Sequence, residues 1–270
     1  MARSGVAVRA FLSAGVLALA SQVGAQAPKQ GGVLNFVVGS KIPSFDLHRE
    51  TTFGAMHPIR PFYSTLIRVN PENPGNSSEF VCDVCEGVVP QPTENGTVYT
   101  FKLKRGVKFH DGTEMTSADV KASMDKIIFP PEGVRSARRS FFRMVESVDA
   151  PDNYTVVFRL KFPSGAFVPA LATPFNVILS KQDLDTHGYD WHKRNINGTG
   201  AFEFVRHQPG AFVEGKRFDT FTGLVIHTST ASNPFPRPKW PYGSRPYAAT
   251  VQPSSFAGSR PRRATTWSRH

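Results

Sequence analysis

The sequence predicts an α/β fold with mixed sheets. Segments with strand-like alternation and segments with helical spacing follow one another without the strict βαβ order of a fully parallel sheet. The chain has 270 residues, of which 40% are hydrophobic and 20% are charged, a composition typical of a soluble globular protein. This length is sufficient for a real hydrophobic core and indicates one large domain or two smaller ones.

Residues 1–27 have the pattern of a secretory signal peptide. Two arginines come first, an apolar run follows at residues 10–20, and small residues come after it. The apolar run is too short for a comfortable transmembrane helix. The arginines are not adjacent and no cysteine is near, so neither a twin-arginine signal nor a lipid anchor is expected. We expect an exported mature protein, cleaved near Ala25 or Ala27.

The first elements of the mature chain are a strand and a helix. Residues 33–38 have the apolar run of a buried first strand. Apolar residues spaced at i, i+3 and i+4 predict a helix over residues 53–69, although Pro58 and Pro61 lie near its start. Residues 70–78 are rich in Asn, Pro, Gly and Ser, which indicates a turn-rich connection.

The most regular pattern follows. Residues 99–103 alternate apolar and polar side chains, as a half-buried strand does, after a hairpin signal at residues 95–96. Thr116 and Asp119 resemble a capping box at a helix start, and Pro130 stops that helix. The predicted helix has one apolar face, made of Val120, Met124, Ile127 and Ile128.

Further elements are expected up to residue 213, and their type follows from periodicity and length. They are a strand at 154–160, a short helix at 166–172, a buried strand at 175–179, and two strands at 201–205 and 211–213.

Residues 219–270 differ from the rest of the chain in composition. They contain seven prolines, seven basic residues and one acidic residue, so they carry +6 of the net charge of +11. No sustained period is visible, and such a segment buries too little apolar surface to offset the entropy of ordering, so disorder is predicted. A basic tail can bind nucleic acid or anionic lipid nonspecifically, but we favour an unselected tail and expect no nucleic-acid partner.

Cys82 and Cys85 are the two cysteines of the chain. In an exported protein this spacing favours a structural disulfide. A zinc site would need about four ligands, and no second pair is near. A redox motif would open a helix after a strand, whereas this pair lies in a loop. Redox catalysis and a reduced pair remain alternatives.

Other polar motifs favour structural interpretations. His110 and Asp111 precede Gly112, which indicates a hairpin turn with a surface histidine rather than acid–base chemistry. Residues 197–200, Asn-Gly-Thr-Gly, lack the Lys-Ser/Thr of a phosphate loop and indicate a structural turn. One further group has spacing compatible with a metal, but a solvated loop is favoured: Asp183, Asp185, His187, Asp190 and His192. No catalytic residue, metal ligand or cofactor is predicted.

Residues 99–120 read YTFKLKRGVKFHDGTEMTSADV. This stretch resembles the signature of family-5 solute-binding proteins, the peptide and oligopeptide receptors of ABC importers, which has the form Y-T-F-x-L-(R/K)-x-G-V-x-F-x-D-G-x-x-x-x-A-x-D-V. Further similar pieces follow the family's order and extend the resemblance over about residues 28–218: GGVL at 31–34, NYTVVFRL at 153–160, GTGAF at 198–202 and QPG at 208–210.

The resemblance implies a lobe of a type II periplasmic binding protein, incomplete because the C-terminal lobe is missing. Residues 28–62 and 174–218 would form one discontinuous subdomain, with residues 63–173 as an inserted subdomain. We expect a frameshift or truncation near residues 218–222, with the tail at 219–270 out of frame.

The function implied by the resemblance is that of a non-enzymatic periplasmic receptor. It would capture peptides or similar small solutes as a monomer and deliver them to an ABC permease in the inner membrane. Thr51, Thr52 and Phe53 match the loop after the first strand, which can face the ligand cleft, and are the candidate ligand-binding residues. Two alternatives are a secreted interaction protein that binds anionic partners through its basic tail, and a secreted hydrolase that uses the His and Asp groups above.

Overall fold

The structure, a computed structural model, describes residues 33–223 and the short stretch 247–252. The predicted signal peptide at residues 1–27 and the tail residues 224–246 and 253–270 lie outside the described residues. Within the described part, no helix has the length and apolar character needed to cross a membrane.

The described residues form nine strands and four α-helices. The strands are β1 Leu34–Val38, β2 Ile67–Val69, β3 Phe80–Cys82, β4 Val98–Lys102, β5 Val145–Asp152, β6 Thr155–Leu160, β7 Phe202–Gln208, β8 Phe212–Arg217 and β9 Tyr247–Gln252. The helices are α1 Phe53–Ile59, α2 Ser117–Ile128, α3 Phe167–Leu171 and α4 Lys181–His187. Short 3₁₀ helices occur at Arg60–Phe62, Glu94–Gly96, Arg139–Phe142 and Trp191–Lys193.

The strands form three sheets. A four-stranded sheet has the order β1-β9-β8-β7, in which β9 and β8 are parallel and the other pairs are antiparallel. A three-stranded antiparallel sheet has the order β4-β6-β5, and β2 pairs with β3 in a third sheet. Parallel and antiparallel pairs within one sheet confirm the prediction of an α/β fold with mixed sheets.

Two hydrophobic clusters make up the interior. The framework core draws its buried side chains from residues 38–63 and 175–213. The inserted core draws its side chains from residues 66–172, together with Ile178. The chain therefore crosses between the clusters at two places, near residue 64 and near residue 174. The names framework subdomain and inserted subdomain are used below for the residues of these two clusters, and the division of the chain at residues 62–63 and 173–174 stays a prediction.

Helix α2 begins and ends where the sequence predicts. The carboxylate of Asp119 accepts hydrogen bonds from the amide of Thr116 at 2.8 Å and from its hydroxyl at 3.0 Å. The helix ends at Ile128, two residues before Pro130. Its predicted apolar face is buried in the inserted core, which confirms the periodicity.

The predicted strands at 99–103 and 154–160 are also confirmed, as β4 and β6, which pair with each other. Phe101 and Phe158 lie on their buried faces, with ring centroids 5.7 Å apart. The short helix α3 places Phe167 against Phe158 at 5.3 Å. Aromatic packing therefore joins the sheet to α3.

The prediction of one helix over residues 53–69 is correct for residues 53–59 and wrong for the rest. Helix α1 ends at Ile59, and the chain continues as a 3₁₀ turn and then as strand β2. Pro61 has no amide hydrogen, so it cannot donate to the carbonyl one turn before it. Thr65 instead forms a bridge with Val177, and this long-range pairing sets the chain in an extended conformation.

The strand predicted at residues 175–179 is absent from the described sheets, although the segment is buried. Val177 forms one isolated bridge, while the amide of Ile178 donates to the carbonyl of Ser64 and that of Leu179 donates to the hydroxyl of Ser123. These amides bond to a loop and to a side chain rather than to a neighbouring strand. Apolar composition predicted the burial correctly but not the pairing.

Strand β1 forms where it was predicted, but the prediction that it is buried is wrong. Val38 is buried, whereas Leu34 is 60% exposed and Val37 is 69% exposed. Among the described strands β1 pairs only with β9, so it lies at an edge of its sheet.

The prediction of disorder throughout residues 219–270 is wrong for residues 247–252. These residues form β9, which pairs with β1 on one side and with β8 on the other. The stretch contains no proline, so every residue has a backbone amide for the ladders.

Candidate functional site

The candidate ligand-binding residues lie together at the start of α1. Thr51, Thr52 and Phe53, here called the candidate segment, are all exposed, and Phe53 is 71% exposed. The Phe53 ring contacts the imidazole of His57 edge-on, with centroids 5.4 Å apart. Two hydroxyl groups and an aromatic ring are therefore free to contact a solute.

The segment follows a loop that is buried. Residues 44–50, here called the anchor loop, include Asp46, Leu47 and His48, each at most 3% exposed. The Asp46 carboxylate accepts a hydrogen bond from the His48 amide at 3.0 Å, which closes a tight turn. The loop thus connects strand β1 to the exposed segment through the interior.

A buried ion pair joins the anchor loop to α2. Lys126 Nζ lies 2.8 Å from Asp46 Oδ2, and their side chains are 1% and 3% exposed. Burial lowers the pKa of Lys126, and the neighbouring Asp46 carboxylate opposes this shift. Paired charges at this depth are costly to separate, because removing one partner leaves the other unsolvated.

Arg138 contacts the same loop from the inserted subdomain. Its guanidinium donates to the carbonyl of Leu47 at 3.1 Å and to the carbonyl of Glu50 at 2.7 Å. The guanidinium also lies over the ring of Phe175, 3.7 Å from its centroid. Burial lowers the pKa of Arg138 to about 10, so the group remains charged at neutral pH.

His192 is completely buried near this ion pair. Neither ring nitrogen has a hydrogen-bond partner within the described residues. Burial, followed by the charge of Lys126, lowers the pKa of His192 to about 3, so the ring is neutral at physiological pH. Burial and then Lys126 also lower the pKa of His48 well below its usual value.

The prediction that residues 183–192 form a solvated loop is wrong in part. Asp183 lies in α4 and is buried, and His192 is buried in a 3₁₀ helix. Asp185 and Asp190 are exposed, in ion pairs with lysines. No group of three or more metal-ligating side chains occurs in the part of the chain that the structure describes.

His110 is not the surface residue that was expected. Its amide donates to the carbonyl of Gly198 at 2.9 Å, and its Nε2 lies 3.1 Å from the carbonyl oxygen of Gly200. Phe218 contacts the imidazole edge-on at 4.9 Å. Desolvation lowers the pKa of His110. These contacts show that the ring joins the 110–112 turn to the 197–200 turn.

The turn at residues 197–200 is structural, as predicted. A Cβ atom on Gly198 would lie 2.1 Å from the carbonyl oxygen of Phe62, and one on Gly200 would lie 2.4 Å from that of Pro61. Only glycine permits this close backbone approach. Asn197 donates to the carboxylates of Asp111 and Asp183 at 2.9 and 2.8 Å.

Cys82 and Cys85 form a disulfide, as predicted. The loop between them includes Asp83, which is 7% exposed. Its carboxylate accepts hydrogen bonds from the amide of Thr65 at 2.9 Å and from the guanidinium of Arg60 at 3.0 Å. The disulfide therefore closes a turn that is bonded to the end of the α1 region.

One cavity of the described residues lies away from the candidate segment. It has a volume of about 750 Å³, opens to solvent and shares no residue with the candidate segment. It is lined by Glu86, Lys102, Leu103, Arg105, Asp152, Asn153, Tyr154 and Thr155. The carboxylate of Asp152 accepts hydrogen bonds from the amide of Tyr154 and the hydroxyl of Thr155.

Sequence reasoning did not identify Lys126 and Arg138 as residues that hold the anchor loop. Lys126 and Asp46 are 80 residues apart in the chain. Arg138 stands in a basic stretch beside the exposed Arg139, and no periodicity distinguishes the buried arginine from its neighbour. These roles depend on how the two subdomains pack.

Comparison with known proteins identifies one family. Residues 81–254 match the family described as bacterial extracellular solute-binding proteins, family 5 Middle. The match continues past residue 218, so the similarity extends further than the motifs indicated.

Curated relatives include the glutathione-binding protein GsiB of Pectobacterium atrosepticum, which is 36% identical over 129 residues. This alignment covers 48% of the chain and 24% of the relative. GsiB of Escherichia coli K12 is 32% identical over 126 residues, covering 47% of the chain and 24% of the relative. The chain thus spans about a quarter of the length of these relatives.

Solved structures have the same fold over most of the chain. The binding protein MoaA in complex with mannopinic acid, from A. tumefaciens R10, aligns with a TM-score of 0.61 and 28% identity, covering 68% of this chain and 37% of that protein. AgaA in complex with agropinic acid, from the same source, aligns with a TM-score of 0.59 and 26% identity, covering 68% of this chain and 35% of that protein. DppA of Helicobacter pylori in complex with the peptide STSA aligns with a TM-score of 0.59 and 20% identity, covering 80% of this chain and 41% of that protein.

Proposed function

Because the chain belongs to family 5 of the bacterial extracellular solute-binding proteins, we propose that it acts in the capture of a short peptide or a similar small solute and its delivery to the permease of an ABC importer. The family match over residues 81–254 carries this proposal. The coverage of the relatives is partial, so the ligand, the permease and the activity of a complete receptor are all part of the proposal.

The geometry supports binding rather than catalysis. The signature histidine, His110, is held by backbone groups of the 197–200 turn, and Asp111 accepts hydrogen bonds from Thr113 and Asn197. The residues that resemble an acid–base pair thus serve to join two loops. The candidate segment, in contrast, presents unburied polar and aromatic groups on a rigid support.

The proposed mode of binding follows from the chemistry of the segment. The hydroxyl groups of Thr51 and Thr52 can donate hydrogen bonds to, or accept them from, a peptide backbone or a carboxylate. The ring of Phe53 offers apolar area that a ligand would cover. Since the anchor loop is buried and hydrogen-bonded, little conformational entropy would be lost on binding.

A titration with reduced glutathione tests the ligand class, because two relatives are named for that tripeptide. We expect binding to raise the thermal unfolding midpoint of the full chain, since a ligand that binds the folded state stabilises it by mass action. Dipeptides and tetrapeptides form the second arm of the titration. A chain that binds none of these peptides would contradict the proposal of a peptide receptor.

Phe53→Ala tests the candidate segment. We expect this substitution to weaken peptide binding about tenfold, the loss of roughly 1.4 kcal/mol of contact energy, measured by isothermal titration calorimetry. The unfolding midpoint should change little, because Phe53 is 71% exposed. The matched control is Phe162→Ala, since Phe162 is 53% exposed and lies in the inserted subdomain. If Phe53→Ala and Phe162→Ala bind the peptide with equal affinity, Phe53 does not contribute to the binding site.

We propose further that the chain is exported to the periplasm through residues 1–27, with cleavage near Ala25 or Ala27. The extracellular family supports this location. Intact mass of the protein recovered from the periplasm would identify the mature N-terminus.

A further inference from the structure

We propose that Arg138 and Lys126 are positioning residues that set the placement of the candidate segment from the inserted subdomain. The segment itself belongs to the framework subdomain. The binding consequence of this inference rests on the proposed function, whereas the positioning itself is tested below without a ligand.

Arg138 fixes the end of the anchor loop that leads into the segment. Its two terminal nitrogens bond to the carbonyl of Leu47, within a turn, and to that of Glu50, directly after it. Glu50 directly precedes Thr51 in the chain. The planar guanidinium presents its donors in a fixed fork, so it sets the distance between the two carbonyls as well as their direction.

Lys126 fixes the other end of the same loop. Its ammonium pairs with the Asp46 carboxylate at 2.8 Å, and the second oxygen of that carboxylate accepts from the His48 amide. The amide of Ala137 donates to the carbonyl of His48 at 3.0 Å. Two contacts from the inserted subdomain, Lys126 with Asp46 and Ala137 with His48, therefore lie along the buried part of the loop, and Arg138 adds two more.

Contacts within the framework subdomain fix the opposite side of the loop. The amide of Phe45 donates to the carbonyl of Lys193 at 3.1 Å, and His48 Nε2 lies 2.8 Å from the carbonyl oxygen of Val177. The anchor loop is thus held between the two subdomains. The exposed residues 51–53 lie between this loop and α1, where the Thr52 carbonyl accepts from the amides of Ala55 and Met56, so the loop sets their placement on one side and the helix on the other.

Removal of the Arg138 guanidinium would leave the carbonyls of Leu47 and Glu50 without their donor. Leu47 is 0% exposed, and a buried carbonyl without a partner is costly. The turn would relieve this cost by opening toward solvent. Opening would move the candidate segment, which is why Arg138 can affect binding without touching the ligand.

The test compares Arg138→Met with Arg139→Met. Met keeps most of the apolar length of the side chain, and Arg139 is the exposed neighbour of the same type. Hydrogen–deuterium exchange is measured on the full chain without ligand. We expect amide exchange in residues 47–53 to become at least tenfold faster in Arg138→Met and to be unchanged in Arg139→Met, with exchange in β4 and β6 unchanged in both.

A conservative variant keeps the test decisive if Arg138→Met does not fold. Arg138→Lys retains the charge but can no longer bond both carbonyls in a fork, so exchange in residues 47–53 should be intermediate. Folded variants of Arg138 that exchange at the rate of the parent chain would overturn the proposal.

Binding of reduced glutathione provides the second readout. We expect affinity to fall about tenfold in Arg138→Met at a temperature well below its unfolding midpoint, while Arg139→Met binds as the parent does. If the parent chain binds no peptide, the proposed ligand class is wrong, and the exchange result alone decides the positioning role. If the parent binds and Arg138→Met, with faster exchange, binds equally well, the link between placement and binding is wrong.

Discussion

Gly198 and Gly200 show how single residues hold the signature region in place. Both lie against the backbone of the 3₁₀ helix Arg60–Phe62, and the amide of Gly200 donates to the carbonyl of Phe62 at 3.1 Å. The same turn accepts the hydrogen bonds of His110. A side chain at either glycine would separate two segments whose contacts depend on the absence of a Cβ atom.

Gly198→Ala should therefore destabilise the protein by about 1–3 kcal/mol, the usual cost of forcing extra volume into a packed site. Chemical unfolding in urea measures the loss. Gly165→Ala is the matched control, because no atom lies within 4 Å of the added Cβ. We expect that variant to stay within about 0.5 kcal/mol of the parent. Equal losses in the two variants would show that the close approach is not needed.

At the scale of elements, α2 connects local capping to long-range packing. One oxygen of the Asp119 carboxylate accepts the two hydrogen bonds from Thr116, and the other accepts a hydrogen bond from the Lys181 amide at 2.8 Å, at the start of α4. In the same helix, Ser123 donates to the Asp119 carbonyl and accepts from the Leu179 amide. Asp119, which the sequence predicts to cap the start of α2, therefore also joins the two subdomains.

Asp119→Ala should cost about 2 kcal/mol of unfolding free energy, since three donors lose a charged acceptor. The comparison variant is Asp125→Ala on the same helix, where the carboxylate forms a half-exposed pair with Lys121. That pair should contribute about 0.5 kcal/mol or less. A urea titration in which both variants lose the same amount would contradict the joining role of Asp119.

The elements that sequence periodicity mispredicted share one cause. Residues 64–69 have helical spacing, but Thr65 pairs with Val177, more than a hundred residues away. The 175–179 segment has the composition of a buried strand, yet its amides bond to Ser64 and Ser123. Local pattern predicts which residues are buried, whereas the partner of each backbone group depends on residues distant in the chain.

At the scale of the whole molecule, the two cores are joined through buried polar groups. The Lys126–Asp46 pair, His48 and His192 all lie near the junction, each 3% exposed or less. Burial and the nearby ammonium hold both imidazoles neutral in the folded protein. The junction therefore tolerates little additional positive charge.

Stability should fall as the pH falls from about 6.5, because unfolded histidines bind protons that the folded state excludes. The folded pKa of His192 is about 3, against an ordinary unfolded value near 6.5. The stabilisation of the folded state by neutral His192 is thus complete above about pH 6.5 and is lost progressively as the pH falls toward 3. Between pH 7.5 and pH 5.0, His192 alone should account for a loss of about 2 kcal/mol.

Urea unfolding of His192→Gln at the two pH values tests this assignment. We expect the variant to lose about 2 kcal/mol less than the parent between pH 7.5 and pH 5.0, since glutamine does not titrate. An unchanged pH dependence in His192→Gln would show that His192 is accessible to protons.

The sequence alone determined the elements whose cause is local, and it determined the family. Alternation in β4 and β6, the Asp119 cap and the disulfide pair all involve residues close in the chain or strongly patterned, and the motif at residues 99–120 carried the family resemblance. Only the tertiary structure decided which side chains support the candidate segment. Arg138 and Lys126 look like ordinary surface cations in the sequence, and they become anchors because packing of two distant segments removes them from water and places them beside acceptors.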